Sequence, residues 1–299
     1  MNDVTFCFLV TTDLAKEHIW REWFDRLQAL QFKFAIVVHC SSSNKHKVMS
    51  DWLKQHFLPN ECMRPTAWGW IVDALMSMHG HAVATCPAAW YSTHTETCVP
   101  MVSPEKFIDV FNKNKQHSFM SYTNAWWNPG IGYSKNKRAN LHLLPPAMHL
   151  VHSAWCIFCH EDLSQMVGLS KTDKTVGQVL NILVRGKVAD ESYAAVLLLR
   201  INNLKNVINQ PTSLVDWTRS KNGNNPHTFV EWTPRDETSV CNIRENVKNE
   251  YMFMRKVGPA FPDHVLQAHI FNEPPVRPNA NKPPVRSVVP FFKLGTRRG

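Results

Sequence analysis

The sequence predicts an α/β fold in which helices flank a sheet built largely from parallel strands. Two observations favour it. The chain has 299 residues, of which 44% are hydrophobic, which is enough to bury a sizeable core. In its first third, short apolar runs alternate with segments that are apolar at helical spacing, a succession typical of a parallel sheet. This composition excludes a disordered or fibrous chain.

The first elements follow from their apolar patterns. Residues 4–10 are almost all apolar, as in a strand buried on both faces. Between residues 19 and 30, large apolar side chains recur at helical spacing, and Asp13 is placed to cap that helix. Residues 34–39 predict a second strand, and residues 48–57 predict a second helix.

The later elements are predicted in the same way. They are a helix at 68–79, a strand at 88–91, a loop at 121–146, a strand at 154–159 and a helix at 192–203. Sites in parallel sheets open at the carboxyl ends of the strands. Those ends are rich in polar residues here, at 11–13, 39–43 and 93–97.

The charge distribution predicts a folded domain over 1–272 and a basic, Pro-rich tail over 273–299. The formal charge is +9, but six cations and no acid fall between Arg277 and Gly299, which leaves +3 for the rest. A nucleic-acid partner would need a basic, aromatic stripe on the folded body, and the pattern shows none. We therefore expect no nucleic-acid partner.

The apolar runs predict a cytoplasmic protein with no membrane span. None approaches the ~18–20 apolar residues that a span needs, and the run at 6–10 is too short for a secretory signal. The eight cysteines are then expected to be reduced and mostly buried. Cys156 and Cys159 should face opposite sides of one strand, which is a poor geometry for a metal.

Several nucleotide and metal motifs are absent from the sequence. There is no phosphate-binding Gly-rich motif, no H-E-x-x-H, and no two of the twelve Asp are spaced as in D-x-D. We therefore expect no metal cofactor. Polar clusters at 95–100, 190–193, 215–219 and 252–256 are the remaining candidates. Taken singly, these clusters also fit a helix start, a buried Trp and an exposed basic face.

Taken in order, these clusters resemble one family, the core-2/I-branching β-1,6-N-acetylglucosaminyltransferases, with their relatives the protein O-xylosyltransferases. Thr-Glu-Thr-Cys-Val-Pro at 95–100 is similar to the family's SESCIP, and Asp-Glu-Ser-Tyr at 190–193 to DEHY. Val-Asp-Trp-Thr-Arg at 215–219 is similar to VDWSR, and Phe-Met-Arg-Lys at 253–256 to FARK. The resemblance runs collinearly from about residue 4 to 265.

The resemblance implies a glycosyltransferase-A type, Rossmann-like mixed sheet and an inverting transfer from a UDP-sugar without metal. The expected sugar is GlcNAc or xylose, ahead of glucuronic acid and glucose, and the acceptor is a glycan or glycoprotein. Without a metal, fixed cations must stabilise the departing diphosphate. The resemblance assigns that task to Lys256, with Arg255 beside it or Arg235 upstream.

The resemblance also assigns the remaining site residues. Glu191 matches the family's catalytic base, and Trp217 matches an aromatic residue that packs against the acceptor sugar. The donor nucleotide and sugar are expected at the strand ends, near the following residues: Thr11, Thr12, Asp13, His39 and Glu96.

The sequence departs from the family in two respects. Animal and plant members are Golgi membrane proteins with a signal anchor and luminal disulfides, whereas this chain begins almost at its first strand and is expected to have neither. That predicts either a natural cytoplasmic enzyme, of the kind that large DNA viruses encode, or a shortened form. The alternative is a catalytically degenerate binding protein that uses its fold or its basic tail on nucleic acid or an anionic surface.

Overall fold

The computed structural model describes residues 1–127, 132–133, 136–220, 225–245 and 251–271. The predicted tail at 273–299 lies outside these residues. Within them the helices are α1 (Glu17–Ala29), α2 (Asp51–Lys54), α3 (Val72–Thr85), α4 (Pro104–Asn114), α5 (His160–Thr172), α6 (Lys174–Val184), α7 (Tyr193–Arg200), α8 (Pro234–Glu245) and α9 (Asp263–Phe271). The strands are β1 (Asn2–Val10), β2 (Phe34–Cys40), β3 (Ala88–Thr95), β4 (Val99–Pro100), β5 (Tyr122–Asn124), β6 (Gly132–Tyr133), β7 (Asn136–Lys137), β8 (Leu150–His152), β9 (Ile157–Cys159), β10 (Ser213–Val215) and β11 (Phe253–Arg255).

The central sheet is mixed and has the order β2-β1-β3-β9. Strand β1 pairs in parallel with both β2 and β3, so that Cys7 lies between Val37 and Thr93. Strand β9 is antiparallel to β3, with Cys159 opposite Trp90. Helices pack on both sides of this sheet, which confirms the predicted α/β fold.

Each face of the sheet carries its own apolar core. Phe6 and Phe8 pack with Trp20 and Trp23 of α1 on one face. Cys7 and Leu9 point to the other face, where α3, α5, α6 and α7 cover the sheet. This alternation is the two-residue period of a strand. Cys156 and Cys159 likewise belong to opposite cores, as their spacing predicts.

A second, three-stranded sheet has the order β10-β11-β4. Strand β11 runs parallel to β10 and antiparallel to β4, so that Met254 lies opposite Val99. Strand β4 follows β3 after only three residues. The short connection brings the end of β11 beside the carboxyl end of β3.

The predicted helix at 48–57 is wrong, because only Asp51–Lys54 are α-helical. The residues that follow pair with the edge of the central sheet instead. The Val38 amide donates to the His56 carbonyl at 2.8 Å, and the Leu58 amide donates to the Val38 carbonyl at 2.9 Å. Ladder hydrogen bonds to β2 thus replace the last turns of the predicted helix.

Two other boundaries also differ from prediction. Asp13 does not cap α1, whose N-cap is Lys16; its carboxylate accepts from the Met49 and Ser50 amides at 2.9 Å each. The predicted helix at 68–79 begins only at Val72 and extends to Thr85. Before it, Gly69 adopts a φ of 77° in a turn closed by hydrogen bonds between Ala67 and Trp70.

Within the described part of the chain, every helix is too short or too polar to cross a membrane.

Candidate active site

Three strand ends meet at one edge of the molecule. Thr11, directly after β1, donates its hydroxyl to Glu96 Oε1 at 2.8 Å, and Glu96 directly follows β3. The Val257 amide, just past β11, donates to the Thr97 carbonyl at 2.9 Å. The ends of β1, β3 and β11 are therefore neighbours, as expected for a site at the carboxyl edge of the sheet.

Strand β11 delivers Arg255 to this edge in largely buried surroundings. Its guanidinium carbon lies 5.1 Å from the centre of the Trp155 ring, a cation–π contact. Burial lowers the pKa of Arg255, and the charges of Cys98, Glu191, Glu96 and Asp190 oppose that change. Arg255 is therefore a largely buried cation on which three carboxyl groups act.

Lys256 is the second cation at this edge. Burial lowers its pKa, the neighbouring charge of Arg255 lowers it further, and Glu96 opposes both. Its ammonium donates to Asn225 Oδ1 at 2.8 Å. An anionic ligand beside these two adjacent cations would stabilise their charged forms.

Asp190 and Glu191 occupy a single 3₁₀ turn, Ala189–Glu191, which Ser192 separates from α7. Glu191 accepts a hydrogen bond from Arg138 at its Oε2, and 31% of its side chain is exposed. For Asp190, burial first and the Glu191 charge second raise the pKa to about 7. The two adjacent carboxyl groups thus have different environments.

Several buried polar atoms in this region lack a hydrogen-bond partner among the described residues. They are Asp190 Oδ1, Ser192 Oγ, Arg138 Nε and Arg255 Nε. Buried polar atoms are nearly always paired, so a cluster of unpaired ones calls for an explanation. A polar ligand with several hydroxyl or phosphate oxygens would supply the missing partners.

The remaining strand-end residues make contacts within the protein. The Thr12 hydroxyl donates to the Asp13 carbonyl at 3.4 Å, and Asp13 holds the turn at 49–50. His39 is fully buried and accepts from the Arg64 amide at 2.9 Å, and burial lowers its pKa to about 4. Of the five residues assigned to the donor pocket, the structure brings Thr11 and Glu96 to the two cations.

Arg235 has different neighbours from Lys256. It is exposed at the start of α8 and lines a groove of about 540 Å³ with Arg219, Thr238 and Asn242. The charges that shift the Lys256 pKa are those of Arg255, Glu96 and Cys98. Of the two cations considered as partners for Lys256, Arg255, which adjoins it in the chain, is the one whose charge lowers the Lys256 pKa.

Trp217 follows β10 and is partly buried, next to an ion-pair network. Asp216 is fully buried and binds Arg219 at 2.5 Å, and Arg219 binds Asp236 at 2.6 Å. Burial alone would raise the Asp216 pKa, but hydrogen bonds from Ser239, Thr218 and Arg219 outweigh it and lower the pKa to about 2. The network fixes the segment that carries Trp217.

Arg138 and Trp155 belong to the site but were not among the predicted site residues. Arg138 is 53 positions from Glu191 in the chain, and its Cζ lies 3.9 Å from the centre of the Trp127 ring. The only sequence signal is the unusual clustering of Trp126, Trp127 and a basic stretch within one predicted loop.

No group of three or more potential metal ligands is arranged around a common point in the described ranges. None of the known protein-family models matches the chain. The chain also matches none of the curated proteins.

Proposed function

We propose that this protein is an inverting, metal-independent glycosyltransferase with a glycosyltransferase-A type fold. It moves a sugar, GlcNAc or xylose in first place, from a UDP-sugar to a hydroxyl of a glycan or glycoprotein and forms a β-linkage. One observation carries the proposal: two adjacent cations, Arg255 and Lys256, lie at the edge where Glu96 follows β3, and the charges of Glu191 and Asp190 also act on Arg255.

The chemistry needs both kinds of group. The acceptor oxygen forms a bond to the anomeric carbon while the bond from that carbon to the UDP oxygen breaks. The hydroxyl proton passes to Glu191, a step in which a positioned base contributes ~10²–10⁴-fold. The electron pair of the broken bond leaves with UDP, whose growing negative charge Arg255 and Lys256 stabilise.

The other residues have supporting tasks in this proposal. Thr11 and Glu96, already joined by a hydrogen bond, border the donor at the ends of β1 and β3. Trp217 offers a flat apolar face to the acceptor sugar. Fixed protein cations take the place that a divalent ion has in metal-dependent transferases.

Binding is tested first with a thermal-shift screen of UDP and UDP-sugars in EDTA and then in Mn²⁺. A ligand at ~100 times its dissociation constant adds about 2.7 kcal/mol of stability, which is easily measured. Stabilisation that persists in EDTA supports the proposal, and the most effective sugar indicates the donor. Stabilisation that requires Mn²⁺ contradicts metal independence, and none with any nucleotide contradicts the transferase itself.

Glu191→Gln should lower transfer by about 10²–10⁴-fold, because the amide cannot accept the hydroxyl proton. UDP should still bind, since both diphosphate-binding cations remain. The matched control is Glu22→Gln, which also removes a carboxylate paired with an arginine, at 2.8 Å, but on the surface of α1. Transfer that survives Glu191→Gln would remove Glu191 from the role of base.

A further inference from the structure

One oxygen of the proposed base is already occupied. Arg138 Nη2 donates to Glu191 Oε2, and only 13% of the Arg138 side chain is exposed. While this contact lasts, the guanidinium occupies one side of that oxygen, and a hydroxyl that donates there must first displace it. A single water molecule offers only one oxygen in exchange for this charge-assisted contact, so it competes poorly with Arg138.

Arg138 is held in place from two sides. Its guanidinium stacks on the Trp127 ring at 3.9 Å. Its backbone segment is tied to Lys187, because the Ala139 amide donates to the Lys187 carbonyl at 2.8 Å and the Lys187 amide donates to the Lys137 carbonyl at 3.1 Å. Lys187 lies four positions before Glu191, so the same backbone connection aligns both partners.

The contact can nevertheless be exchanged. Glu191 remains partly exposed, so a solute can reach it. A guanidinium has five N–H donors, and in Arg138 the buried Nε has no partner within the described residues. A molecule that carries several hydroxyl oxygens could therefore accept hydrogen bonds from Arg138 as it separates the pair.

We propose that Arg138 guards Glu191 against water and is displaced by the hydroxyl groups of the acceptor, so that the bound donor is not hydrolysed before the acceptor arrives. This inference rests on the proposed function. In the suppressed reaction, a water oxygen bonds to the anomeric carbon, the bond from that carbon to UDP breaks, and a water proton passes to Glu191. The products are the free sugar and UDP.

The guard is tested first by the accessibility of Glu191, which requires no substrate. A water-soluble carbodiimide with glycine ethyl ester modifies reachable carboxyl groups, and peptide mass mapping locates the label. Arg138→Gln should increase labelling at Glu191 several-fold, and Arg138→Lys should give an intermediate increase because Lys cannot reproduce the planar fork. Arg26→Gln, which opens the surface pair with Glu22, should leave Glu191 unchanged. Unchanged labelling in both folded Arg138 variants overturns the guard.

The second measurement is release of UDP from a UDP-sugar without acceptor. Arg138→Gln should raise this hydrolysis by at least about tenfold over the unaltered protein, and adding Glu191→Gln should remove the increase. Unchanged hydrolysis in an Arg138→Gln protein that still transfers sugar overturns the guard alone. If neither protein binds or consumes any UDP-sugar, the proposed function is wrong. The proposed role of Arg138, which rests on that function, is then wrong as well.

Discussion

Asp190 and Glu191 are adjacent in the chain but differ in what surrounds them. Asp190 is half-buried, and its buried Oδ1 has no hydrogen-bond partner among the described residues, whereas Glu191 is partly exposed and paired with Arg138. Burial and the Glu191 charge raise the pKa of Asp190 to about 7, so it is largely neutral in weakly acidic solution. Neighbouring carboxyl groups in unlike environments are a common feature of sites that transfer protons.

Asp190→Asn should stabilise the protein more at pH 8 than at pH 5. At pH 5 the native Asp190 is protonated, and Asn replaces it with another neutral group. At pH 8 the native protein holds an ionised carboxylate there, a cost that grows by about 1.4 kcal/mol for each unit of pKa difference. Urea unfolding of both proteins at the two pH values measures the difference. An equal effect at both would show that Asp190 does not titrate in this range.

At the residue scale, only part of the site could be predicted from the sequence. The pairs Asp190–Glu191 and Arg255–Lys256 stand out because like charges are adjacent within apolar segments. Arg138 could not be found in this way, because its partner is 53 positions away and the contact depends on how the intervening loop folds. The separation of Arg235 from Lys256 also depends on tertiary structure.

The elements predicted best were those with a strong and uninterrupted pattern. Strands β1 and β2 are largely apolar on both sides because they are buried between two helical layers, and their positions were close to prediction. Strand β3 begins at the predicted residue 88 but continues four residues past 91, where its buried side chains are polar. The helix at 48–57 failed because ladder hydrogen bonds between β2 and residues 56–58 decide its end. Periodicity within a segment contains no information about such a neighbour.

The close approach of Gly186 to residues 139 and 140 positions the segment that carries Arg138. A Cβ at Gly186 would lie 2.4 Å from both the Ala139 carbonyl carbon and the Asn140 nitrogen. Because these are backbone atoms, the segment would have to move. Space at Gly186 is therefore a structural requirement of the Arg138–Glu191 contact.

Gly186→Ala should destabilise the protein by about 1–3 kcal/mol through this overlap. The control is Gly168→Ala in α5, where a Cβ meets nothing within 4 Å and the change should stabilise the helix by up to about 1 kcal/mol. Urea unfolding distinguishes the expected loss of stability in Gly186→Ala from the expected gain in Gly168→Ala. A neutral or stabilising Gly186→Ala would show that the segment at 139–140 is free to shift.

At the scale of the whole molecule, four histidines are buried among the side chains that the structure describes. They are His39, His79, His94 and His152. Burial lowers the pKa of His94 to about 3 and of the other three to about 4. Each is therefore neutral in the folded protein under conditions in which the unfolded chain would be protonated.

The free energy of unfolding should fall as the pH decreases from about 6.5 to about 4. Over this range the unfolded chain binds protons at these histidines and the folded protein does not, at about 1.4 kcal/mol per histidine per pH unit. Asp190 acts in the opposite direction between pH 4 and 7 and offsets part of the loss. Urea unfolding at four pH values measures the slope, and His94→Gln should make it shallower. An identical slope in that variant would show that His94 is not among the groups responsible.

The mixed α/β architecture of the whole molecule could be predicted, because alternating strand and helix patterns restrict the arrangements of the first three strands. The antiparallel direction of β9 could not, since it depends on how the chain returns after the long segment between β3 and β9. The small sheet of β4, β10 and β11 was equally inaccessible, because each of its strands has only two or three residues.

The two cores on either side of the sheet each contain their own buried thiols. Cys40, Cys98 and Cys159 lie in the core beneath α1, and Cys7 and Cys156 lie in the core on the opposite face. A disulfide-exchange reagent reaches such sulfurs only when the surrounding layer opens. The rates at which the two sets react under native conditions would therefore report separately on the opening of each layer. The buried thiols thus report whether the two cores open together or one after the other.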